Sequence, residues 1–456
     1  MKNIILNTDS YKASHYLQYP PKTEYISSYI EARGGEYKKV LFFGLQAFIK
    51  EYLLNPITQK DIDEANEIIT AHGLPFNKEG WEYILKEHNG YLPIEISALK
   101  EGMIVPLQCP LVQVVNTDSK VPWITSYLET ALLRAVWYPT TVATLSYSIK
   151  EIIKEYLDAT SDNAKDELPF KLHDFGARGV SSQESAVLGG MAHLVSFKGS
   201  DTLSAIVAAK RYYNADMAGF SIPASEHSTM TAWQKEGEAD AYENMINRFA
   251  KEGKIFAVVS DSYDIYNAVT NIWGKKLKEK VKKSGATLVI RPDSGKPQEV
   301  VLEVMKRVYK EFGGYKNSKG YIVLDDCVRI IQGDGVNKNS IKEILEILKK
   351  EGFSAENIAF GMGGALLQGV SRDDFKFAMK ASAIRVNNKW RDIYKEPITD
   401  KTKSSKRGRL VVLKDFTTIK YEEWKIEENL LLPVFKEGKL LKEYSFEEIR
   451  DEQNRY

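Results

Sequence analysis

The chain has 456 residues, 43% of them hydrophobic, and balances 63 Lys and Arg against 62 Asp and Glu for a net charge of +1. That balance leaves no global field for nucleic acid or an acidic membrane, so any basic site must be local. Two cysteines, Cys109 and Cys327, exclude a disulfide framework and a four-cysteine metal site. No window approaches the ~20 apolar residues of a membrane span, and the first ten residues lack a secretory apolar stretch, so the cytoplasm is the expected location.

Residues 1–35 are dense in tyrosine around Asp9-Ser10-Tyr11-Lys12 and Tyr29-Ile30-Glu31, which suits an aromatic rim or an interface. Helical signals follow over Asp61–Ala71, stopping near His72-Gly73, and around Trp81–Lys86. Residues 91–121 turn into short apolar runs broken by Gly102, Pro106 and Pro110, the pattern of a small β region. Two helices are predicted next, Trp123–Ala135 and Thr144–Leu157.

From Phe170 onward each short strand candidate is followed by a polar, Gly- or Asp-bearing loop and then a helix signal. Phe170–His173 leads into Asp174-Phe175-Gly176-Ala177-Arg178-Gly179 and a helix capped near Ser182-Gln183-Glu184. Ile255–Val259 leads into Ser260-Asp261-Ser262-Tyr263-Asp264, and Thr287–Ile290 into Arg291-Pro292-Asp293-Ser294-Gly295 with Pro297 opening the next helix. Val328–Ile331 leads into Gln332-Gly333-Asp334-Gly335, with Ser340 and Glu343 as the expected cap; Ile358–Phe360 leads into Gly361-Met362-Gly363-Gly364 and then Arg372.

Repeated βα units imply parallel strands with right-handed crossovers, and a barrel gathers the loops after the strands on one rim. An open doubly wound sheet is the alternative and would gather fewer of them. The fold class is therefore α/β, an irregular β/α barrel with a smaller mixed β-rich domain formed with the N-terminal region. The expected division is 1–165, 166–400 for the barrel, and 401–456 returning to the small domain.

The rim inventory suits a phosphoribosyl ligand. Arg178, Arg291 and Arg372 are forks for phosphate oxygens, Gly363-Gly364 offers a backbone nest, and Asp293 and Asp334 can accept ribose hydroxyls. His227 stands out among six histidines because it follows Glu226 in the small-residue stretch Ser221–Thr229 before a helix.

Six segments occur in order: Thr8-Asp9-Ser10-Tyr11-Lys12, His173 to Ser182, Pro223 to Ser228, Ser260 to Asp264, Arg291 to Gly295, and Gln332 to Gly335. Together they resemble the nicotinamide phosphoribosyltransferase family of the type II phosphoribosyltransferase superfamily, from about residue 5 to Tyr444-Ser445-Phe446. The resemblance implies transfer of the 5-phosphoribosyl group from 5-phosphoribosyl 1-diphosphate to nicotinamide with Mg²⁺, in a homodimer with interface sites. It implies that Phe175 stacks on one face of the pyridine ring and the partner chain's Tyr11 on the other. Asp201 matches the acceptor for the carboxamide, which would repel nicotinate. Arg178 matches a residue shared by ring and diphosphate positioning and Arg291 a diphosphate clamp, and Asp293, Gly333, Asp334, Gly363 and Gly364 match ribose and phosphate contacts. Ser221 and Ser260 also match substrate contacts, while Arg372, Lys380 and Lys395 resemble partner-chain phosphate contacts.

By the same resemblance His227 is phosphorylated by ATP, Asp264 orients it, Glu226 neighbours it, and Lys403 lies near ATP phosphate. Asp293 joins His227 and Asp264 as a catalytic residue. Ala378 and Met362 depart from the family's pattern and put the partner-chain phosphate contacts in doubt. The alternatives are a nicotinate enzyme on the same fold, which would carry an Arg or neutral donor in place of Asp201, and a non-catalytic binding or signalling protein.

Overall fold

The computed structural model describes residues 3–399, 404–425 and 428–455. The chain forms two compact units. The first combines Met1–Thr144, Ala208–Asp216 and Val370–Tyr456; the second combines Leu145–Val207 and Met217–Gly369. The boundaries thus fall near 144 and 369, where the sequence suggested 165 and 400.

The first unit is built on a seven-stranded antiparallel sheet. Its order is Lys389–Asp392, Ala378–Val386, Thr23–Glu31, Pro110–Asn116, Ile94–Ala98, Leu432–Lys436 and Lys439–Leu440, so both ends of the chain contribute strands. The alternating pattern of residues 94–98 buries Ile94, Ile96 and Ala98 and leaves Glu95 and Ser97 partly exposed, as a one-faced strand requires. The Gln59–Ala71 helix begins at a Thr58–Asp61 capping box and buries Ile62, Ala65 and Ile69. A buried carboxylate ties the loops of this unit: Glu101 accepts from the backbone N–H of Gly44 at 2.8 Å and Gln46 at 2.7 Å, and from the Tyr213 hydroxyl at 2.9 Å.

The two helices expected over 123–157 are instead a short Ile124–Tyr127 turn and one continuous helix, Glu129–Thr160, with Pro139 inside it. Proline normally breaks a helix interior because it lacks an N–H and crowds the preceding turn. Here Gly44, at φ +109°, fits against the proline ring; a Cβ there would lie 2.3 Å from Pro139 Cγ.

The second unit contains six parallel strands, neighbouring in the order Gly199–Ser200, Leu172–Asp174, Ile358–Met362, Val328–Gln332, Thr287–Arg291 and Ile255–Val259. The edges meet through residues 220–225. Phe220 bridges Gly199 and Ala224 bridges Ala257, both in parallel, with Ser200 N–H donating to Phe220 O and Ala257 N–H to Pro223 O. The sheet is therefore closed as an irregular barrel, as expected, and the open alternative falls. Ala257, Val289, Ile331, Ala359, Ile222 and Phe175 fill the interior. Small and β-branched residues dominate because strands tilt around a narrow axis.

Caps differ from expectation in detail. Lys338–Lys350 starts at Asn337, whose side chain accepts from the N–H of Asn339 and Ser340, so Ser340 lies inside the first turn rather than at its start. Ser182 caps Gln183–Ser196 by accepting from Ser185 N–H at 3.1 Å. Among the described residues no helix is long and apolar enough to cross a membrane.

His193 on that helix is fully buried, with Nε2 3.1 Å from Gly199 O and Nδ1 3.1 Å from Ser146 Oγ. Burial, aided by the charge of His173, pushes its pKa from 6.5 down to about 4 against the pull of Asp174 and the Gly199 carbonyl. The unfolded chain binds this proton first, so the contribution of His193 is complete above pH 6.5 and is lost as pH falls toward about 4, an amount on the order of 3 kcal/mol. Urea unfolding at pH 7 and pH 4.5 checks this: His193→Gln should lose less stability between the two than the parent, and an equal loss would assign the acid sensitivity elsewhere.

Candidate functional site

Each stave of the barrel ends in a loop on the same rim, which is why residues distant in sequence become neighbours. Phe175 follows Leu172–Asp174, and its N–H donates to Met362 O at 3.0 Å. Met362 is buried at the end of its own strand, so it precedes the Gly363-Gly364 turn rather than interrupting it. Arg291 sits with its guanidinium 5.4 Å from the Phe175 ring centre, a cation–π approach. The same guanidinium grips Asp293 through both its oxygens, at 2.8 Å from Nη2, with Nε 3.1 Å from Oδ1.

Gly333 lies beside this pair; a Cβ there would come 3.1 Å from Arg291 Nε and 3.2 Å from Asp293 Oδ1. Gly363 precedes, and Gly364 opens, the short helix Gly364–Leu367, and Gly364 packs on Gly179, where a Cβ would lie 3.0 Å from the Gly364 Cα. Arg178 is exposed, with no ion pair among the described residues, and Asp334 is exposed, with its carbonyl accepting from Gln332 Nε2 at 2.7 Å.

Asp201 follows the shortest stave. Its Oδ1 accepts from His173 Nε2 at 2.9 Å and from Ser221 Oγ at 2.5 Å. Burial works to raise this carboxyl, but the two hydrogen bonds and the charges of His173 and Arg291 outweigh it and hold the group below the usual carboxylate range. Ser221, expected to contact substrate, thus gives its hydroxyl to Asp201.

His227 opens the helix His227–Thr231 and is 46% exposed. Its Nε2 faces Asp261 Oδ1 at 3.5 Å and Asp293 Oδ2 at 3.6 Å, and its Nδ1 lies 3.3 Å from Ser262 Oγ. Asp261 is almost wholly buried, and its Oδ1 has no hydrogen-bond partner among the described residues. Two sequence expectations are corrected here. Asp264 does not face the histidine; its Oδ1 accepts from the N–H of Tyr266 at 2.9 Å and Asn267 at 3.0 Å, capping the next helical segment. Ser260 is buried, donating to Val258 O and accepting from Trp273 Nε1 at 3.1 Å, so its hydroxyl is consumed by the scaffold. Glu226 accepts from Ser228 Oγ, and its N–H donates to Thr229 Oγ1 at 3.3 Å.

The remaining expected residues belong to the other unit. Tyr11 is 56% exposed and meets His15 edge-on at 5.0 Å. Arg372 pairs with Asp373 at 3.0 Å, and Lys380 Nζ donates to Met379 O at 3.0 Å. Burial lowers the Lys380 pKa, joined by the charges of Arg33, Lys395 and Lys12 against Glu129. Lys395 exchanges hydrogen bonds with Ser405, and Ala378 pairs with Glu31 across the sheet. Lys403 lies outside the described residues.

A model of the nicotinate phosphoribosyltransferase (NAPRTase) family matches residues 170–439, and one for the N-terminal domain of nicotinamide phosphoribosyltransferase matches residues 3–96. The nicotinamide phosphoribosyltransferase of Xanthomonas campestris is 52% identical over 459 residues, covering 99% of this chain and 98% of that protein. The chain belongs to the nicotinamide phosphoribosyltransferase family. The Acinetobacter baylyi nicotinamide phosphoribosyltransferase is 32% identical, covering 97% of this chain and 95% of its own. Two solved structures share the fold at 17% identity. They are the Pyrococcus furiosus nicotinate-nucleotide pyrophosphorylase, with TM-score 0.64 over 99% of this chain and 95% of that one, and the human nicotinic acid phosphoribosyltransferase, with TM-score 0.56 over 98% and 93%.

In this member of the nicotinamide phosphoribosyltransferase family, sequence reasoning missed His173, Asp261, Ser262 and Gly361. Gly361 carried a usable signal as the first glycine of its loop: a Cβ there would sit 1.9 Å from Phe175 Cε2. Gly361→Ala should force the ring off its strand and cost about 1–3 kcal/mol, read by denaturant unfolding; unchanged stability would show that the ring is not seated there.

Proposed function

We propose that the protein joins nicotinamide to 5-phosphoribosyl 1-diphosphate, releasing diphosphate and nicotinamide mononucleotide, and so serves NAD salvage. The observation that carries this reading is the Asp201 carboxylate bound by His173, whose imidazole also lies 5.2 Å from the Phe175 ring centre. A carboxylate there accepts the carboxamide N–H and repels the carboxylate of nicotinate. Phe175 offers a flat face to the pyridine ring, and the exposed Tyr11 of a second copy would cover the other face, so the working form is a homodimer.

In the reaction the pyridine nitrogen lone pair forms the bond to ribose C1 as the C1–oxygen bond to diphosphate breaks, its electrons leaving on the diphosphate. The ring is a weak neutral nucleophile, so the protein contributes alignment and charge. Arg291 and Arg178 bind the departing diphosphate, and Gly333, Asp334, Gly363 and Gly364 hold ribose and phosphate through backbone and carboxylate. Arg372, Lys380 and Lys395 supply cations from the second copy.

His227 is the acceptor for the ATP γ-phosphoryl group, which water later removes. Asp293, whose Oδ2 faces Nε2 at 3.6 Å, orients the imidazole and holds its proton. Phosphorylation places negative charge beside the diphosphate site and helps order it. Among the described residues no group of three or more His, Cys, Asp or Glu makes a metal cage. Mg²⁺ would suit this site because it binds through one or two carboxylates together with substrate phosphates; the unpartnered Oδ1 of Asp261 would be its protein donor. When bound, the ion neutralises charge on the phosphate oxygens.

The test is mononucleotide formation by the purified protein with 5-phosphoribosyl 1-diphosphate and Mg²⁺, comparing nicotinamide with nicotinate, each with and without ATP. Nicotinamide should be preferred and ATP should raise the rate; preference for nicotinate would overturn the role of Asp201. His227→Ala should lose the ATP-dependent increment, about 10²-fold or less in rate, and form no acid-labile phosphoprotein with γ-labelled ATP. A variant that still responds to ATP would remove His227 from the coupling.

A further inference from the structure

We propose that His173 is the positioning residue that makes Asp201 a one-sided acceptor, and thereby sets the preference of the site for an amide over a carboxylate. This rests on the role given to Asp201 above.

Both donors to Asp201 converge on one oxygen: His173 Nε2 at 2.9 Å and Ser221 Oγ at 2.5 Å reach Oδ1, and Oδ2 has no hydrogen-bond partner among the described residues. A carboxylate on a freely turning side chain presents either oxygen. Two donors on the same oxygen fix its plane and leave the other lone pairs for a ligand. The Asp201 side chain is 50% exposed, so packing alone does not immobilise it. Because the acceptor is a carboxylate, His173 must carry its proton on Nε2.

The sequence around His173 is cleared for this role. It lies on the strand Leu172–Asp174 between two glycines, Gly199 on one neighbouring strand and Gly361 on the other. A Cβ at Gly199 would stand 2.6 Å from His173 Nδ1, and one at Gly361 would enter the Phe175 ring. The imidazole centre is 5.2 Å from the Phe175 ring centre, with the planes at 56°. One side chain, only 14% exposed, thus touches both the aromatic platform and the acceptor. It fixes the angle between the surface that takes the ring and the oxygen that takes the carboxamide. Ser221 lies on an exposed, irregular stave, which makes it the weaker holder of the two.

Loss of the His173 bond frees Asp201 to swing toward water. Recognition of the amide weakens, and the negative charge no longer stands where a nicotinate carboxylate would arrive. The effect is one of binding and selectivity, so it appears in KM rather than kcat.

The experiment measures kcat and KM for nicotinamide and nicotinate at saturating 5-phosphoribosyl 1-diphosphate in His173→Asn, His173→Gln, Asp201→Asn and His173→Asn/Asp201→Asn. The Asn amide takes the place of Nδ1 and falls short of Asp201, whereas the Gln amide takes the place of Nε2 and can donate. His173→Asn should raise the nicotinamide KM about tenfold and narrow the nicotinamide-to-nicotinate ratio of kcat/KM by about tenfold, with kcat within about threefold. His173→Gln should restore most of both. The double variant should discriminate no worse than Asp201→Asn alone, because His173 acts through Asp201. If His173→Asn fails to fold, Ser221→Ala removes the second donor and should narrow the ratio in the same direction.

Unchanged KM and ratio in His173→Asn, beside an Asp201→Asn that shifts both, would overturn the proposal and leave the role of Asp201 standing. Equal losses in the Asn and Gln variants would overturn it as well. Parent-like behaviour in Asp201→Asn would overturn the reading of Asp201 and the proposal with it.

Discussion

Closure of the parallel sheet through residues 220–225 is the constraint on which the site depends. A parallel sheet has unpaired N–H and C=O groups on both edges, and a closed ring removes the edges. Here the closing stave is short and irregular, pairing through Phe220 on one side and Ala224 on the other. Its position delivers Ser221 to Asp201 at one end and Glu226-His227 to Asp261 and Asp293 at the other. One stretch of chain thus reaches both the Asp201 corner and the His227 corner of the rim.

Charge within the rim is arranged in pairs that differ in what they leave free. Asp293 is gripped by Arg291 on both oxygens, which neutralises it and aims the guanidinium. Among the described residues Asp201 is gripped on one oxygen only, and buried Asp261 keeps an Oδ1 with no hydrogen-bond partner, 3.5 Å from His227 Nε2. A carboxylate engaged on both oxygens is held in place, whereas a half-satisfied one is available to a ligand. The glycines have a matching logic: Gly199, Gly333 and Gly361 stand where a Cβ would meet His173, the Arg291–Asp293 pair and Phe175.

Much of this was legible in the chain. The βα rhythm after Phe170, the polar loops that end its strands and the family motifs identified the barrel and the loops that line its rim. Errors came where a local signal had two uses. Asp264 and Ser260 are polar residues in a motif loop, and nothing local distinguishes a helix cap or a tryptophan's partner from a ligand contact. The expected helices Trp123–Ala135 and Thr144–Leu157 are joined in the continuous helix Glu129–Thr160 across Pro139, a breaker by propensity, with Gly44 making room for its ring. The staves Gly199–Ser200 and 220–225 were missed because they are too short to show a period of two.

By itself the sequence determined the class of fold, the family and the chemical types gathered on the rim, because periodicity, turn residues and ordered motifs are local properties that survive without coordinates. Tertiary structure alone decided which carboxylates face His227, which oxygen of Asp201 is left open, and that His173 touches both Asp201 and Phe175. Those facts depend on angles and distances between staves far apart in the chain, and hydrogen-bond partnership across a barrel rim is set by that geometry rather than by residue type.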